Sequence, residues 1–256
     1  MNVVILAGGL GTRLAEETEV RPKPMVEVGG RPLLWHILKH YAHHDFLDFY
    51  VALGYRGDVI KRYFADYASL SGSIRVDLAA SRVAPYDVSA DRWRMNLMET
   101  GAETNTGGRV KRLQPYLARE TFLLTYGDGV CDVDLKALLA FHRSHGKIAT
   151  MTAVRPPSRF GAIEFDGDRI QGFMEKPQTG EGWINGGFMV FEPALFDFLT
   201  GDACSLEADA LERVAGEGQL MGFRHEGFWQ CMDTMRDKRY LDALWQSGKA
   251  PWKVWA

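Results

Sequence analysis

Residues 2–13 have the sequence Asn-Val-Val-Ile-Leu-Ala-Gly-Gly-Leu-Gly-Thr-Arg and set the architecture of the chain. Their apolar run has no polar face to offer water, so we predict a fully buried strand over residues 2–7, as in the interior of a parallel sheet. The glycines that follow let backbone N–H groups close around phosphate oxygens, because no Cβ stands in the way. The forked guanidinium of Arg13 is a further phosphate donor. The segment therefore predicts a buried strand that ends in a phosphate-binding loop.

Spacing excludes two better-known glycine-rich loops. The dinucleotide-binding fingerprint requires a third glycine where this chain has Leu14, and the P-loop requires a Gly-Lys-Ser/Thr run that the segment lacks. An ordinary tight turn between a strand and a helix remains the alternative to a phosphate loop.

Apolar runs alternate with helical patterns along the first half of the chain, which is typical of right-handed crossovers and a parallel sheet. After about residue 155 a turn signal at residues 166–168 predicts a hairpin between 163–165 and 170–173. The fold class is therefore α/β: a Rossmann-like mixed, mainly parallel sheet flanked by helices, with an antiparallel extension in the second half. The further predicted strands are 49–53, 121–126, 148–154 and 187–191, and the predicted helices are 32–44, 58–68, 107–118 and 134–145.

Composition excludes several classes of protein. The chain has 256 residues, of which 46% are hydrophobic, and its net charge of −3 argues against a dedicated nucleic-acid partner. Three cysteines with no CxxC pair argue against a disulfide framework and suggest a reducing compartment, so we expect a cytoplasmic protein. No apolar run approaches the about 18 residues that a membrane span needs. We see no linker, and expect a single domain over residues 1–256.

Three charged side chains follow the predicted strands or the first loop. Lys23 lies between two prolines, which hold its backbone extended and suit a phosphate clamp, although a solvated lysine is the alternative. Asp128 follows the strand 121–126, where open α/β sheets collect their ligands, although Gly-Asp-Gly is also a common turn. Asp233 could be a second carboxylate for a metal ion or an N-cap of the last helix.

Two further segments and one histidine pair also allow two interpretations each. The segments 175–177 and 183–187 offer a cation, polar groups and an aromatic face that suit a sugar phosphate, but each could also be ordinary loop chemistry. His36 and His40 have metal-compatible spacing but lie opposite the apolar stripe of their helix, so we predict that they face solvent.

The chain resembles the sugar nucleotidyltransferases. Residues 6–13 together with Lys23-Pro24 look like the nucleotide signature of that family. The resemblance continues through residues 16–18, 28–30, 34–36, 54–55, 106–109, 125–129, 159–161, 175–177, 184–188, 228–234 and 248–252. One departure is Cys231, which stands where the family pattern has proline, in the loop that carries Asp233.

The resemblance implies a role for each matching residue. Arg13, Lys23 and Asp128 would be catalytic, and Asp128 and Asp233 would bind Mg²⁺. The sugar phosphate would be held by Glu175, Lys176, Asn185 and Gly186. The nucleotide would be held by Leu6, Ala7, Gly8, Gly9, Leu10, Gly11, Thr12, Arg13, Lys23, Thr104, Gly107, Gly108, Arg109, Gly127 and Asp128. For residues 104–109 the alternative is a helix N-terminus capped by Thr106, without any contact to a base.

The implied reaction is transfer of a cytidylyl group from CTP to α-D-glucose 1-phosphate, for deoxysugar or surface-polysaccharide synthesis. Residues 1–130 would form the nucleotide-binding half and residues 131–256 the sugar-phosphate-binding half. A homo-oligomer is expected, with no membrane partner. The alternatives are uridylyl or thymidylyl transfer, a nicotinamide-dependent oxidoreductase, which Leu14 disfavours, and a sugar-nucleotide-binding regulator without catalysis.

Overall fold

The fold is built on a mixed β-sheet, and the predicted apolar runs form its central strands. The computed structural model describes residues 1–9, 11, 14–87, 91–156, 162–166, 169–174 and 182–255. The strands are β1 Asn2–Ala7, β2 Glu27–Val28, β3 Arg31–Pro32, β4 Asp48–Leu53, β5 Ser73–Asp77, β6 Arg82–Tyr86, β7 Arg94–Glu99, β8 Phe122–Tyr126, β9 Gly129–Cys131, β10 Ala149–Val154, β11 Ala162–Asp166, β12 Arg169–Met174, β13 Ile184–Asn185, β14 Met189–Phe191, β15 Leu220–His225 and β16 Trp229–Cys231.

Helices cover both faces of this sheet, and short helical turns connect them. A 3₁₀ turn spans Lys23–Met25, another 3₁₀ helix spans Pro193–Phe198, and a π-helix spans Leu206–Leu211. The α-helices are α1 Ala15–Thr18, α2 Leu33–His43, α3 Gly57–Ala65, α4 Tyr67–Ser71, α5 Thr106–Arg112, α6 Gln114–Leu117, α7 Leu135–His145, α8 Glu212–Gly216 and α9 Met235–Gln246. Among the helices of the described ranges, none combines the length and the apolar character that a bilayer span demands.

The sheet has a parallel half and a mixed half, as the sequence predicts. Strands β7, β4, β1 and β8 run parallel in that order. Strand β14 then pairs antiparallel with β8, and β10 pairs antiparallel with β14 and β13 and parallel with β15. The predicted hairpin is also confirmed, since β11 and β12 pair antiparallel. Because β1, β4, β7 and β8 are parallel, their carboxyl ends meet at one edge of the sheet.

One predicted helix is divided in the structure, and one strand of the parallel half lies outside the predicted elements. The helix predicted over residues 107–118 is divided into α5 and α6, and Pro115 lies in the first turn of α6. Proline cannot donate the backbone hydrogen bond that would continue α5, but it is well suited to a first turn. Strand β7 was not predicted, because it lies at the end of the parallel half and its partly exposed residues mix polar and apolar types.

The prediction that His36 and His40 face solvent is wrong. Both side chains are buried, at 0% and 2% exposure. The C-terminal segment covers the polar side of α2, and the rings of Trp245 and Trp252 pack against His36 at centroid distances of 4.6 and 6.1 Å. Helix α2 is therefore buried on two sides, which its own sequence pattern does not reveal.

His36 is held in one neutral tautomer. Its Nε2–H donates to the carbonyl of Val28 at 2.9 Å, and its Nδ1 accepts the indole N–H of Trp252 at 3.3 Å. A second proton on Nδ1 would face the indole hydrogen. Burial accordingly lowers the pKa of His36 from its ordinary value of about 6.5 to about 4.

We expect His36 to make the fold acid-sensitive. Below about pH 6.5 the unfolded chain binds a proton at His36 that the folded chain does not bind, so the free energy of unfolding falls until the pH reaches the folded pKa. Between about pH 7 and about pH 5, the wild type should lose about 1 to 2 kcal/mol more than His36→Phe. Urea denaturation at both pH values measures this difference. His43→Gln, on the exposed side of α2, is the control, and identical losses in the wild type and His36→Phe would contradict the assignment.

Candidate active site

The carboxyl ends of the parallel strands bring the predicted loops together. The amide of Gly127, just after β8, donates to the carbonyl of Leu6 in β1 at 2.9 Å. The amide of Tyr55, after β4, donates to the carbonyl of Gly8 at 3.2 Å. Leu6 and Ala7 are buried in β1, so they anchor the start of the glycine loop in the core. The glycine loop and the Asp128 turn therefore border one crevice.

Lys23 lies between two acids at this crevice. Its ammonium donates to Asp128 Oδ2 at 2.8 Å and also to a carboxylate oxygen of Asp233. The extended conformation of Pro22 leads into the 3₁₀ turn that carries Lys23, and the lysine side chain is only 12% exposed. Burial disfavours the charged form and is the largest single influence, but the carboxylates of Asp128 and Asp233 and the neighbouring Cys231 together outweigh it, so the pKa of Lys23 lies above its ordinary value. Lys23 is therefore a fixed positive charge.

Strand pairing explains how Asp233 reaches Asp128. Strand β16 pairs antiparallel with β9, which follows Asp128 directly, and the amide of Met232 donates to the carbonyl of Asp128 at 2.8 Å. The N-cap alternative for Asp233 is wrong, because Thr234 caps α9 through a capping box with Asp237. The carboxylate of Asp233 therefore serves the crevice and not the helix.

The residues around Asp128 fit a divalent cation. Asp128, Cys231 and Asp233 each place one ligand atom within 4.8 Å of the others. Carboxylate oxygens are the protein ligands that Mg²⁺ accepts, usually one or two beside water and phosphate oxygens. The two acids also already attract the ammonium of Lys23.

The described part of the glycine loop is closely packed at Gly8 and Gly11, whereas Gly9 is exposed and a Cβ there would meet no atom within 4 Å. A Cβ on Gly8 would lie 2.2 Å from the guanidinium carbon of Arg109. Gly11 has a φ of +64°, and a Cβ there would lie 2.9 Å from Thr18. These two positions therefore need glycine for reasons of space and of backbone conformation. Leu10, Thr12 and Arg13 lie outside the described residues.

Arg109 cross-links the ends of the strands, a role that sequence analysis missed. Its guanidinium donates to the carbonyl of Leu53 at 2.9 Å, of Gly101 at 2.7 Å and of Gly8 at 3.1 Å. Further bonds reach Ala102 and the hydroxyl of Thr100. The side chain is buried, so these bonds hold the loops after β1, β4 and β7 together. Its predicted contact with the nucleotide remains a prediction.

The other residues of the 104–109 segment lie in a helix junction. Thr104 is buried, and Asn105, not Thr106, is the N-cap of α5. A Cβ on Gly107 would lie 2.8 Å from the carbonyl of Cys204, and one on Gly108 would lie 2.5 Å from that of Asp202. Because they have no side chain, these glycines let α5 pack closely against residues 202–206. Their contact with the base of the nucleotide remains a prediction.

A cavity of about 930 Å³ extends from the acids towards β13. The Asn185 amide donates to the hydroxyl of Tyr126 at 3.0 Å, and that hydroxyl donates to Glu207 at 2.6 Å. Burial and the Glu207 carboxylate raise the pKa of Tyr126, so its hydroxyl stays protonated. The carbonyl of Gly186 accepts the indole N–H of Trp229 at 2.7 Å.

The structure thus brings Asn185 and Gly186 to the same cavity as Asp128 and Asp233. Glu175 and Lys176 lie outside the described residues. Glu207 was missed by the sequence analysis, because the 81 positions that separate it from Tyr126 leave no local signal.

Comparisons with known proteins agree on the family and the fold. The family model described as "Nucleotidyl transferase" matches residues 2–237. Glucose-1-phosphate cytidylyltransferase of Salmonella typhi is 50% identical over 256 residues, covering 100% of both chains. Probable glucose-1-phosphate cytidylyltransferase of Bacillus subtilis is 39% identical over the same full lengths. A putative glucose-1-phosphate thymidylyltransferase from Bacillus anthracis, solved in complex with a sucrose, has a TM-score of 0.70 at 17% identity, covers 100% of this chain and 97% of its own, and shows likeness of fold alone.

We expect Arg109 to stabilise the fold far more than its neighbour on the exposed side of α5. Arg109→Met removes five hydrogen bonds of a buried cation, and the carbonyl oxygens of Gly101 and Ala102 lose this donor, so the free energy of unfolding should fall by at least about 3 kcal/mol. Arg112→Met is the matched control, since Arg112 forms an exposed ion pair with Asp202 and should cost much less. Urea denaturation measures both variants, and equal losses would show that the carbonyl bonds of Arg109 contribute little.

Proposed function

Because this chain belongs to the nucleotidyl transferase family, we propose that it transfers the cytidylyl group of CTP to α-D-glucose 1-phosphate, releasing pyrophosphate and CDP-glucose. The identity to glucose-1-phosphate cytidylyltransferases extends over the whole chain. The observation in the structure that supports this reaction best is the partly buried arrangement of Lys23, Asp128 and Asp233 beside a cavity large enough for a sugar phosphate.

The reaction joins two anions, so charge is its main obstacle. An oxygen of the sugar phosphate forms a bond to the α-phosphorus of CTP, and the bond from that phosphorus to the departing pyrophosphate breaks. The sugar phosphate is mostly dianionic above its second pKa of about 6, so it needs no general base. Catalysis therefore depends on neutralising charge and on positioning the reacting groups.

The fixed positive charge of Lys23 suits that task. Its ammonium stays protonated beside Asp128 and Asp233, and in the same crevice it can turn to phosphate oxygens. Asp128 and Asp233 would hold Mg²⁺, which neutralises phosphate charge when it is bound. Arg13 would stabilise the leaving pyrophosphate, and Lys176 would hold the incoming phosphate.

The two substrates would occupy different halves of the chain. The glycine loop, Gly127 and Asp128, within residues 1–130, would hold the nucleotide, with Thr104 and its helix near the base. Residues 131–256 would supply Asn185, Gly186, Glu175 and Lys176 to the sugar phosphate. The bonded set Asn185, Tyr126 and Glu207 offers both donors and acceptors to sugar hydroxyl groups. We take the chain to work as one domain, because Asp233 from the second half completes the acid pair of the first.

Two properties of the whole molecule are part of this proposal. The three cysteines are free thiols, two of them buried, which fits the reducing cytoplasm. Self-association into a homo-oligomer is supported by hairpin β5–β6 and its surroundings, which expose more large apolar side chains than a monomer usually shows. These side chains are Leu70, Ile74, Val76, Leu78, Val83 and Tyr86.

We expect both acids to be required for turnover. Asp128→Asn and Asp233→Asn keep the shape of the side chain but remove its charge, so turnover should fall by at least about a hundredfold while the thermal unfolding curve keeps its shape. EDTA should have the same effect on the wild type. Pyrophosphate release measures the reaction, and Glu226→Gln, an exposed acid outside the cavity, is the control. A wild-type rate in either variant would rule out the assignment.

We expect a preference for CTP over UTP and dTTP of at least about tenfold, equivalent to roughly 1.4 kcal/mol. Cytosine presents an amine donor and a ring acceptor where uracil and thymine present the reverse, so a pocket built for one base leaves polar groups of the other unpaired. CTP and UTP compete in one reaction with glucose 1-phosphate, and mass spectrometry resolves the products. UDP-glucose in equal or greater yield would overturn the cytidylyl assignment and leave nucleotidyl transfer standing.

A further inference from the structure

Pairing of β9 with β16 places a thiol beside the two acids. In this antiparallel pair Cys231 lies opposite Gly129, which is the residue that follows Asp128. In extended chain, alternate side chains point to the same side, so Cys231 and Asp233 share a side while Met232 between them is fully buried. The ligand atoms of Asp128, Cys231 and Asp233 consequently lie within 4.8 Å of one another.

The thiol of Cys231 is open to the cavity, unlike the other two thiols. Cys131 and Cys204 are buried, whereas Cys231 is half-buried and lines the cavity together with Asp128 and Asp233. An ion that enters the cavity therefore meets one sulfur and two carboxylates in one place.

The same place already holds a positive charge. The ammonium of Lys23 donates to both carboxylates, so the two acids already share one cationic partner. A divalent ion bound to the same two acids would displace this ammonium and leave it available to phosphate oxygens.

The donor set is unusual for a magnesium site. Mg²⁺ accepts oxygen ligands in a strict octahedral arrangement, whereas thiolates favour zinc and similar thiophilic ions. We propose that Cys231 is a third protein ligand for thiophilic divalent cations, such as Zn²⁺, Co²⁺ and Cd²⁺, at the acid pair. The metal–sulfur bond forms as the thiol proton leaves to solvent, and no atom is oxidised or reduced. These ions then compete with Mg²⁺ for Asp128 and Asp233.

The sulfur ligand rests on the proposed function in one respect only: that Mg²⁺ is the ion which the acid pair ordinarily binds. The chain also contains a rival place for a thiophilic ion. Cys131, Asp132 and His225 place their ligand atoms within 4.8 Å of one another, and His225 Nε2 lies 2.8 Å from Asp132 Oδ1. A test must therefore separate the sulfur of Cys231 from that of Cys131.

Cobalt provides a direct optical readout of a sulfur ligand. The full-length protein is titrated with Co²⁺ alone, and the sulfur-to-cobalt charge-transfer band in the near ultraviolet is recorded. We expect the band in the wild type and in Cys131→Ala, and no band in Cys231→Ala or Cys231→Ser. Calorimetric titration with Cd²⁺ should show a dissociation constant at least about tenfold higher in both Cys231 variants. Circular dichroism confirms that each variant is folded.

The outcomes separate this inference from the proposed function. A folded wild type without the band, or a band that persists in both Cys231 variants and disappears in Cys131→Ala, overturns the sulfur ligand. Formation of CDP-glucose with Mg²⁺ in that same preparation leaves the transfer reaction standing. A Cys231-dependent band in a protein that makes no CDP-glucose supports the ligand and contradicts the reaction.

Discussion

The ion pairs of Lys23 with Asp128 and Asp233 are the interaction on which the site depends. They join positions that are 105 and 210 residues apart in the chain. A mostly buried charge is tolerated only where opposite charge and hydrogen bonds offset the loss of water, so each of the three residues requires the other two. The 3₁₀ turn, the end of β8 and the start of α9 must all be in place before the site exists. The three charges of the site therefore come from segments far apart in the chain: the 3₁₀ turn, the end of β8 and the residues after β16.

Two cations near the strand ends are held in different ways. Arg109 donates to uncharged backbone carbonyls, so it fixes the loops after β1, β4 and β7. Lys23 donates to carboxylates, which a divalent cation can also bind, so its partners are exchangeable. The arginine therefore stabilises the loops, whereas the lysine is held by partners that a second cation can bind in its place.

The C-terminal segment links the stability of the fold to the position of Asp233. Helix α9 begins at the capping box directly after this acid, and its Asp242 accepts the amide of Gly29 at 2.8 Å. Farther along, Trp252 covers His36 on α2. Anything that loosens this aromatic packing also loosens the helix that follows the acid. The site is therefore supported from a region that lies outside the crevice itself.

The local sequence pattern was sufficient to predict the first central strand of the sheet, the glycine loop after it and the acid that follows β8. Each of these features can be recognised within a few residues, because burial of a strand on both faces and turns that need glycine are local requirements. The resemblance to nucleotidyltransferases followed from the same local motifs. Long-range packing decided the rest. Whether His36 meets water or tryptophan, to which carbonyl groups Arg109 donates, and which side chains Cys231 faces all depend on segments far away in the chain. The pattern of polar and apolar residues in one segment does not specify which other segment will cover it.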